Sequence, residues 1–380
     1  MSETPVTDID TSAKTPGRFG RLYQGLTTID FVGRRKIWFT ASLVVILIGI
    51  GSLGVRGFNL GIDFKGGSSW EVQAPHSSIS AMTTAVEGAG LSNPTVEKLG
   101  SKTYEVTADL NSDSITVQTN ITNAVVTVMA KEAGVPSNDV STASVGPTWG
   151  GQVTNRALEA LIIFFLAVVL YISIRFEPKM AAAAFIAMIH DLLVTVGVFS
   201  LFGFQITPDT VIAVLTILGY SLYDTVVVFD RVRDNSSGPN AILKSGAVTY
   251  GEMVNLSMNQ TLARSINTSL VAILPVLAVL LVGADLLGAT TLQNYGLALF
   301  VGLMSGAYSS IFIASPLLAW MKEREPRYKE LADRVGRSEH AVLSPRAAAL
   351  LGTDSTQRIA GVSRRPTSSV TPRARKQKRR

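Results

Sequence analysis

Six apolar runs dominate the chain, at about 37–55, 157–174, 180–202, 209–229, 265–283 and 294–321. Each is long enough to cross a hydrocarbon core of ~30 Å as a helix. Short loops decide the orientation. The 175–179 turn carries Arg175 and Lys179, and the 230–264 connection carries Arg231, Arg233, Lys244 and Arg264. The 203–208 turn has no Lys or Arg, and 284–293 has only Asp285. With Arg34, Arg35 and Lys36 before the first run and Lys322, Arg324 and Arg327 after the last, the positive-inside rule puts both termini in the cytoplasm. The expected fold class is a polytopic α-helical membrane protein with six transmembrane helices. The first run follows a 36-residue polar segment without a cleavage pattern, so it reads as a retained anchor.

Residues 57–155 alternate differently. The pattern predicts strand (58–64, continuing through 69–73), helix (77–89), strand (95–99), strand (103–110), helix (115–133) and strand (140–145). Ser77 and Ser78 offer a helix cap, and Gly90 and Gly134 stop the two helices. The order βαββαβ is the split-βαβ, ferredoxin-like arrangement, with both helices on one face of an antiparallel sheet. By the loop charges, this α+β domain is extracytoplasmic. The expected organisation is a cytoplasmic segment 1–36, first helix 37–56, external domain 57–155, helices two to six over 156–321, and a basic disordered cytoplasmic tail 322–380. Gly66-Gly67 and the 146–151 stretch flank the domain and are the expected hinges.

Composition agrees with the membrane class: 16% charged, 47% apolar and a mean hydropathy of +0.31. Cysteine is absent, so there is no disulfide framework or thiolate metal site. The external domain has one histidine, His76, and no clustered acid pair, so no metal, cofactor or hydrolytic site is expected. Residues 322–380 hold 16 Lys+Arg against 6 Asp+Glu. Such a tail is drawn to the anionic inner leaflet, so membrane lipid rather than nucleic acid is the expected partner, with RNA or ribosome as the alternative. Gly49–Gly54 fits G-x-G-x-x-G but follows no strand, so close helix packing explains it better than a dinucleotide site. Gly302 and Gly306 have the G-x-x-x-G packing spacing, within the subunit or against a partner.

Asp224 is the most informative residue. It lies seven residues before Arg231 inside an apolar run, ~10 Å from the cytoplasmic end. A carboxylate there costs about 2.5–3.5 kcal/mol on insertion scales and normally faces a bundle interior or wet cavity. A proton site is the default reading; a purely structural pair is the alternative. Gln260, Arg264 and Asn267 fall at i, i+4, i+7 on one helix face, with Arg264 about level with Asp224. Arg264 beside a carboxylate would favour its charged form, although Arg264 could instead snorkel to the surface. His190-Asp191 lies ~16 Å in from Lys179, near the midplane, as a relay or as a structural link.

Four stretches then carry a family resemblance. They are 61–67 (Gly61, Asp63, Gly66 and Gly67), His190-Asp191, 219–231 (with Asp224, Asp230 and Arg231), and 259–269 (with Gln260, Arg264 and Asn267). In order and spacing, over about 30–325, the chain resembles the SecF branch of the SecD/SecF family, within the resistance-nodulation-division-like superfamily. Where the family usually carries Asn, this chain has Tyr223, which removes an amide partner beside Asp224.

The resemblance implies a non-enzymatic accessory subunit of the Sec preprotein translocase in the bacterial cytoplasmic membrane. It implies pairing with SecD and association with the SecYEG channel, with YajC as a further candidate partner and SecA linked indirectly. It implies that the proton-motive force is used to promote late translocation of preproteins. Asp224 would bind the proton, Arg264 would be its cationic partner, and the external domain would move. Two other classes stay open: a half-size proton-driven exporter of lipids or drugs, and an intramembrane aspartyl protease. The exporter usually carries twelve spans in one chain. The protease would use Tyr223-Asp224, but its G-x-G-D motif is missing here.

Overall fold

The computed structural model describes Leu22 and residues 27–110, 114–238, 241–246, 248–286 and 290–337. Six helices among these are long and apolar enough to cross a membrane. They are built on α1 (Arg35–Arg56), α5 (Pro147–Arg175), α6 (Pro178–Phe202), α7 (Pro208–Ser237), α8 (Tyr250–Ala278, continuing π-helical through Val279–Leu286) and α9 (Thr290–Ser309). The sixth crossing goes on from α9 through a π-helical segment, Ser310–Ala314, into α10 (Ser315–Glu323). Proline opens α5, α6 and α7, where its missing N–H costs nothing and its fixed φ suits the first turn.

Between α1 and α5 lie α2 (Ile62–Lys65), β1 (Gly67–Gln73), α3 (Ile79–Gly88), β2 (Thr95–Leu99), β3 (Thr103–Ala108), α4 (Ile115–Ala133) and β4 (Ser141–Val145). The sheet order is β2-β3-β1-β4 and every pairing is antiparallel, as a βαββαβ chain requires. Ser78 and Ser114 cap α3 and α4 by accepting from the N–H groups of Ala81 and Val117, and Gly134 ends α4 in the left-handed conformation. Alternation sends Trp70, Val72, Tyr104 and Val106 to the helix side of the sheet. There they pack on Met82, Val86, Val125 and Met129. The opposite face carries Glu71, Glu105 and Glu97 directly across β1, β3 and β2.

The segment 58–64 corrects the expected strand. Leu60 forms a single parallel bridge with Ile206, and the chain then turns through α2. Gly61 N–H donates to Ile206 O at 2.9 Å, while Asp63 and Lys65 suit the two ends of the short helical turn. Gly66 (φ 79°, ψ 171°) occupies a region open essentially to glycine alone, and a Cβ on Gly67 would lie 2.7 Å from Ala108 O.

The expected hinge at 146–151 is also corrected. Residues from Pro147 onward are helical, and Gly150 sits so close that a Cβ would meet Phe64 O at 2.8 Å and Gly66 N at 2.9 Å. Gly150 seats α5 on α2. Close helix packing explains the other two glycine motifs as well. A Cβ on Gly49 would lie 2.7 Å from Gly197 Cα, so α1 and α6 touch backbone to backbone. A side chain at Gly302 would collide with Ile217, and one at Gly306 would reach Ser221 Cβ at 3.0 Å, so that face of α9 packs on α7 within the chain.

The described residues fall into two compact units, one drawn from 31–229 with 264–321, and the other from 27–30, 230–263 and 322–337. In the second unit, Asn259 holds residues 27–29 by accepting from Ile29 N–H at 2.9 Å and donating to Ile29 O at 2.9 Å. The tail is not disordered from its start. Residues Pro326–Arg337 form helix α11, with the Tyr328 ring 4.6 Å from that of Tyr250. Most of the basic tail, 338–380, and most of 1–26 lie outside the described residues.

Candidate functional site

Among the described residues, two carboxylates lie buried in the membrane helices, each 1% exposed: Asp191 on α6 and Asp224 on α7. Their surroundings differ. Asp191 accepts four hydrogen bonds, from Ser221 Oγ (2.6 Å), Ser309 Oγ (2.7 Å), Ser305 Oγ (2.8 Å) and His190 Nδ1 (3.1 Å). Ser305 and Ser309 reach it together because i and i+4 share a helix face. A carboxylate here accepts, so Nδ1 carries the imidazole hydrogen and Nε2 faces Ser42 Oγ at 3.1 Å. Ser42 in turn lies 3.4 Å from Tyr308 OH, which donates to Trp38 O at 3.0 Å. Asp191 therefore ties α1, α6, α7 and α9 together. His190, Ser42, Ser305 and Tyr308 also line a cavity of about 470 Å³ between α1, α6 and α9.

Asp224 is sparsely held. Ser310 Oγ donates to it at 2.5 Å, and Ser265, buried on α8, sits close to the same carboxylate short of a full hydrogen bond. Tyr220, one turn earlier on α7, buries a hydroxyl without a partner. A carboxyl group with one firm donor and spare polar capacity nearby can be accommodated both as an acceptor and as a protonated donor. Asp191 is filled on all sides.

The expected cation is elsewhere. No ion pair joins Arg264 to Asp224 among the described residues: Arg264 and Asn267 lie on the exposed side of α8, and the inward residue is Ser265. One residue along a helix is a turn of about 100°, enough to exchange the two faces. Gln260 belongs to another set, where its Oε1 accepts from Arg231 Nε at 2.7 Å and Asn235 Nδ2 at 3.0 Å. Asp230 is half-buried beside Arg231. Gly61, Asp63, Gly66 and Gly67 form the turn into β1. Among the described residues, no group of three or more His, Asp or Glu side chains is disposed to hold a metal.

Sequence periodicity does not single out the hydroxyl set Ser42, Ser221, Ser305, Ser309 and Ser310. Its one signal is the placement of these serines inside apolar runs, with Ser221 three residues before Asp224.

Two family models match the chain. That described as protein export membrane protein SecD/SecF, C-terminal, covers residues 125–324, and the SecD/SecF GG motif covers 51–74. The protein translocase subunit SecF of Streptomyces coelicolor is 44% identical over 320 residues, 83% of this chain and 82% of that relative. The protein translocase subunit SecDF of Bacillus subtilis is 37% identical over 301 residues, 78% of this chain but 38% of the relative. Among solved structures, the SecDF of Thermus thermophilus, described as a translocon-associated membrane protein, superposes with a TM-score of 0.67 at 30% identity. It covers 78% of this chain and 39% of its own length. With the GG turn, the second to sixth crossings and the buried Asp224 all on the matched segments, the chain belongs to the SecD/SecF family of protein export membrane proteins.

Proposed function

We propose that this chain is a subunit of the Sec translocase that binds a proton at Asp224 and uses the proton-motive force to promote late export of preproteins. The observation that carries it is a carboxylate 1% exposed in the membrane, held by one serine hydroxyl, in a chain whose relatives are named protein translocase subunits. Each elementary charge crossing ~100 mV supplies about 2.3 kcal/mol, enough to bias a two-state element with a gap of a few kcal/mol. The working part is a subunit rather than an enzyme. Loop charge supports an orientation with both termini in the cytoplasm and the βαββαβ domain outside, where it meets the emerging chain.

SecDF relatives are about twice as long, so a SecD-type chain supplies the remaining part here. SecYEG is the channel served, SecA drives the earlier ATP-dependent stage, and YajC is a further partner. A protease dyad is disfavoured by geometry. It needs two carboxylates sharing a water, and Asp191 is already filled by three hydroxyls and an imidazole.

The test is gradient-stimulated preprotein transport in inverted vesicles with complex levels matched to wild type. Asp224→Asn should assemble and allow SecA-driven initiation but lose the gradient-dependent stage. Transport equal to wild type in that variant would remove the proton assignment.

A further inference from the structure

Adjacent residues on a regular helix point about 100° apart, so two consecutive serines seldom serve two buried acids on neighbouring helices. Ser309 and Ser310 do. Ser309 Oγ donates to Asp191 at 2.7 Å and Ser310 Oγ to Asp224 at 2.5 Å. The helix widens into its π-helical segment at Ser310, and such turns cluster at functional sites. Each serine also has a second acceptor on its own helix: Gly306 O lies 3.3 Å from Ser309 Oγ, and Ala307 O lies 3.3 Å from Ser310 Oγ.

We propose that Ser309 and Ser310 are positioning residues that join the Asp224 site to the first membrane helix through Asp191, His190 and Ser42. The inference rests on the proton reading of Asp224 given above. When Asp224 is a carboxylate, Ser310 donates to it. When Asp224 takes a proton, the carboxyl group itself becomes a donor, and the Ser310 hydroxyl hydrogen turns to Ala307 O. No proton leaves Ser310; one hydroxyl rotates between two acceptors. A side chain bonded to its own helix carbonyl competes with the backbone ladder and bends the helix. That bend acts on Ser309, one residue away, and so on Asp191, which also holds Ser221 three residues before Asp224. From Asp191 the path continues by His190 Nδ1 (3.1 Å) and Nε2 to Ser42 (3.1 Å) on α1. α1 ends at Arg56 and leads, through Gly57, to the turn that opens the external domain. A change in one proton thus has a covalent and hydrogen-bonded route to the domain.

The measurement is gradient-stimulated transport by the full complex in inverted vesicles, across a range of bulk pH at matched complex levels. Ser309→Ala and Ser310→Ala should each displace the pH at which transport is half-maximal and lower its maximum about tenfold, as expected for one lost bond to a charged group. Ser42→Ala should displace it in the same direction. Ser309→Thr and Ser310→Thr, which keep the hydroxyl, should return the profile toward wild type. If an alanine variant fails to assemble, the cysteine variants Ser309→Cys and Ser310→Cys, with weaker donors, take its place and should show the same displacement. An unchanged profile, or a loss equal at every pH, overturns the inference. Asp224→Asn distinguishes the two levels. Inactivity there with wild-type profiles in the serine variants refutes this coupling alone, whereas wild-type transport by Asp224→Asn refutes the proton reading beneath it.

Discussion

Gly49 and Gly197 meet without side chains between them: a Cβ on Gly49 would lie 2.7 Å from Gly197 Cα, and one on Gly197 would lie 2.8 Å from Gly49 Cα. Membrane helices gain no hydrophobic stabilisation from lipid on association, so such close packing carries much of the contact between them. The same crossing holds Ser52 Oγ 3.2 Å from Ser200 Oγ.

Gly49→Val and Gly197→Val should therefore each separate α1 from α6 and destabilise the fold by about 1–3 kcal/mol, the usual cost of overpacking. Gly51→Ala and Gly54→Ala, on the same helix with open space around them, should be nearly neutral. Thermal unfolding in detergent compares the four; equal losses at all of them would contradict the close crossing.

The glycine turn offers a contrast inside the external domain. Gly66→Ala and Gly67→Ala place a Cβ on backbone that only glycine adopts easily, at about 1–3 kcal/mol each. Gly88→Ala, at the end of α3 with nothing within 4 Å, should be neutral or stabilising by up to about 1 kcal/mol. Protease resistance of the domain gives the ranking.

Glu105 supplies a pH dependence. Burial first, and then the Glu97, Glu71 and Asp63 carboxylates, push its pKa up to about 7. Glu97 and Asp63 are raised too, chiefly by burial. The folded sheet thus holds protons that the unfolded chain releases at lower pH. Stability is greatest below the ordinary glutamate range and falls as pH rises toward 7. For Glu105 the loss is on the order of 1–3 kcal/mol after allowing for solvent screening. Hydrogen exchange of the β1 and β3 amides, corrected for intrinsic rates, should show more protection at about pH 5.5 than at about pH 8, two values that bracket the shifted titration. Glu105→Gln should flatten the difference, and a wild-type protein equally protected at both would refute it.

Asp191 and Asp224 should separate in a stability assay. Asp191→Ala leaves three serine hydroxyls and His190 Nδ1 without their acceptor, a loss of about 3–5 kcal/mol for a broken buried network. In Asp224→Asn the amide oxygen still accepts from Ser310, and the nearby Ser265 hydroxyl oxygen can accept from the amide N–H. Detergent-extracted protein levels should drop for the first and stay near wild type for the second.

Much of this was legible in the residues. Asp224 stood out because a lone carboxylate is costly in an apolar run and persists there only where a polar interior receives it. The βαββαβ order followed from a clean change of period between capped helices. Residues 58–64 misled because Phe58, Leu60, Ile62 and Phe64 alternate as on a strand, whereas Gly61 and Gly66 turn the chain. Helical spacing groups Gln260, Arg264 and Asn267 on one face, yet the inward position is Ser265, because a 3.6-residue period does not fix which face meets a neighbour. The seryl set was hidden for a related reason. Serine is common in membrane helices, and the pairing of Ser309 with one acid and Ser310 with another depends on a widened turn that no regular period predicts.

The helix that follows β4 has a mechanical consequence. α5 runs unbroken over the 29 residues Pro147–Arg175, ~43 Å of rigid rod against a hydrocarbon thickness of ~30 Å. Only Gly146 separates it from the sheet, and Gly150 wedges its first turn against α2. A pull on the external domain therefore meets no slack tether at this end. Load on the sheet is delivered as torque on a stiff mast, so the domain can swing only as far as that mast leans in the bilayer.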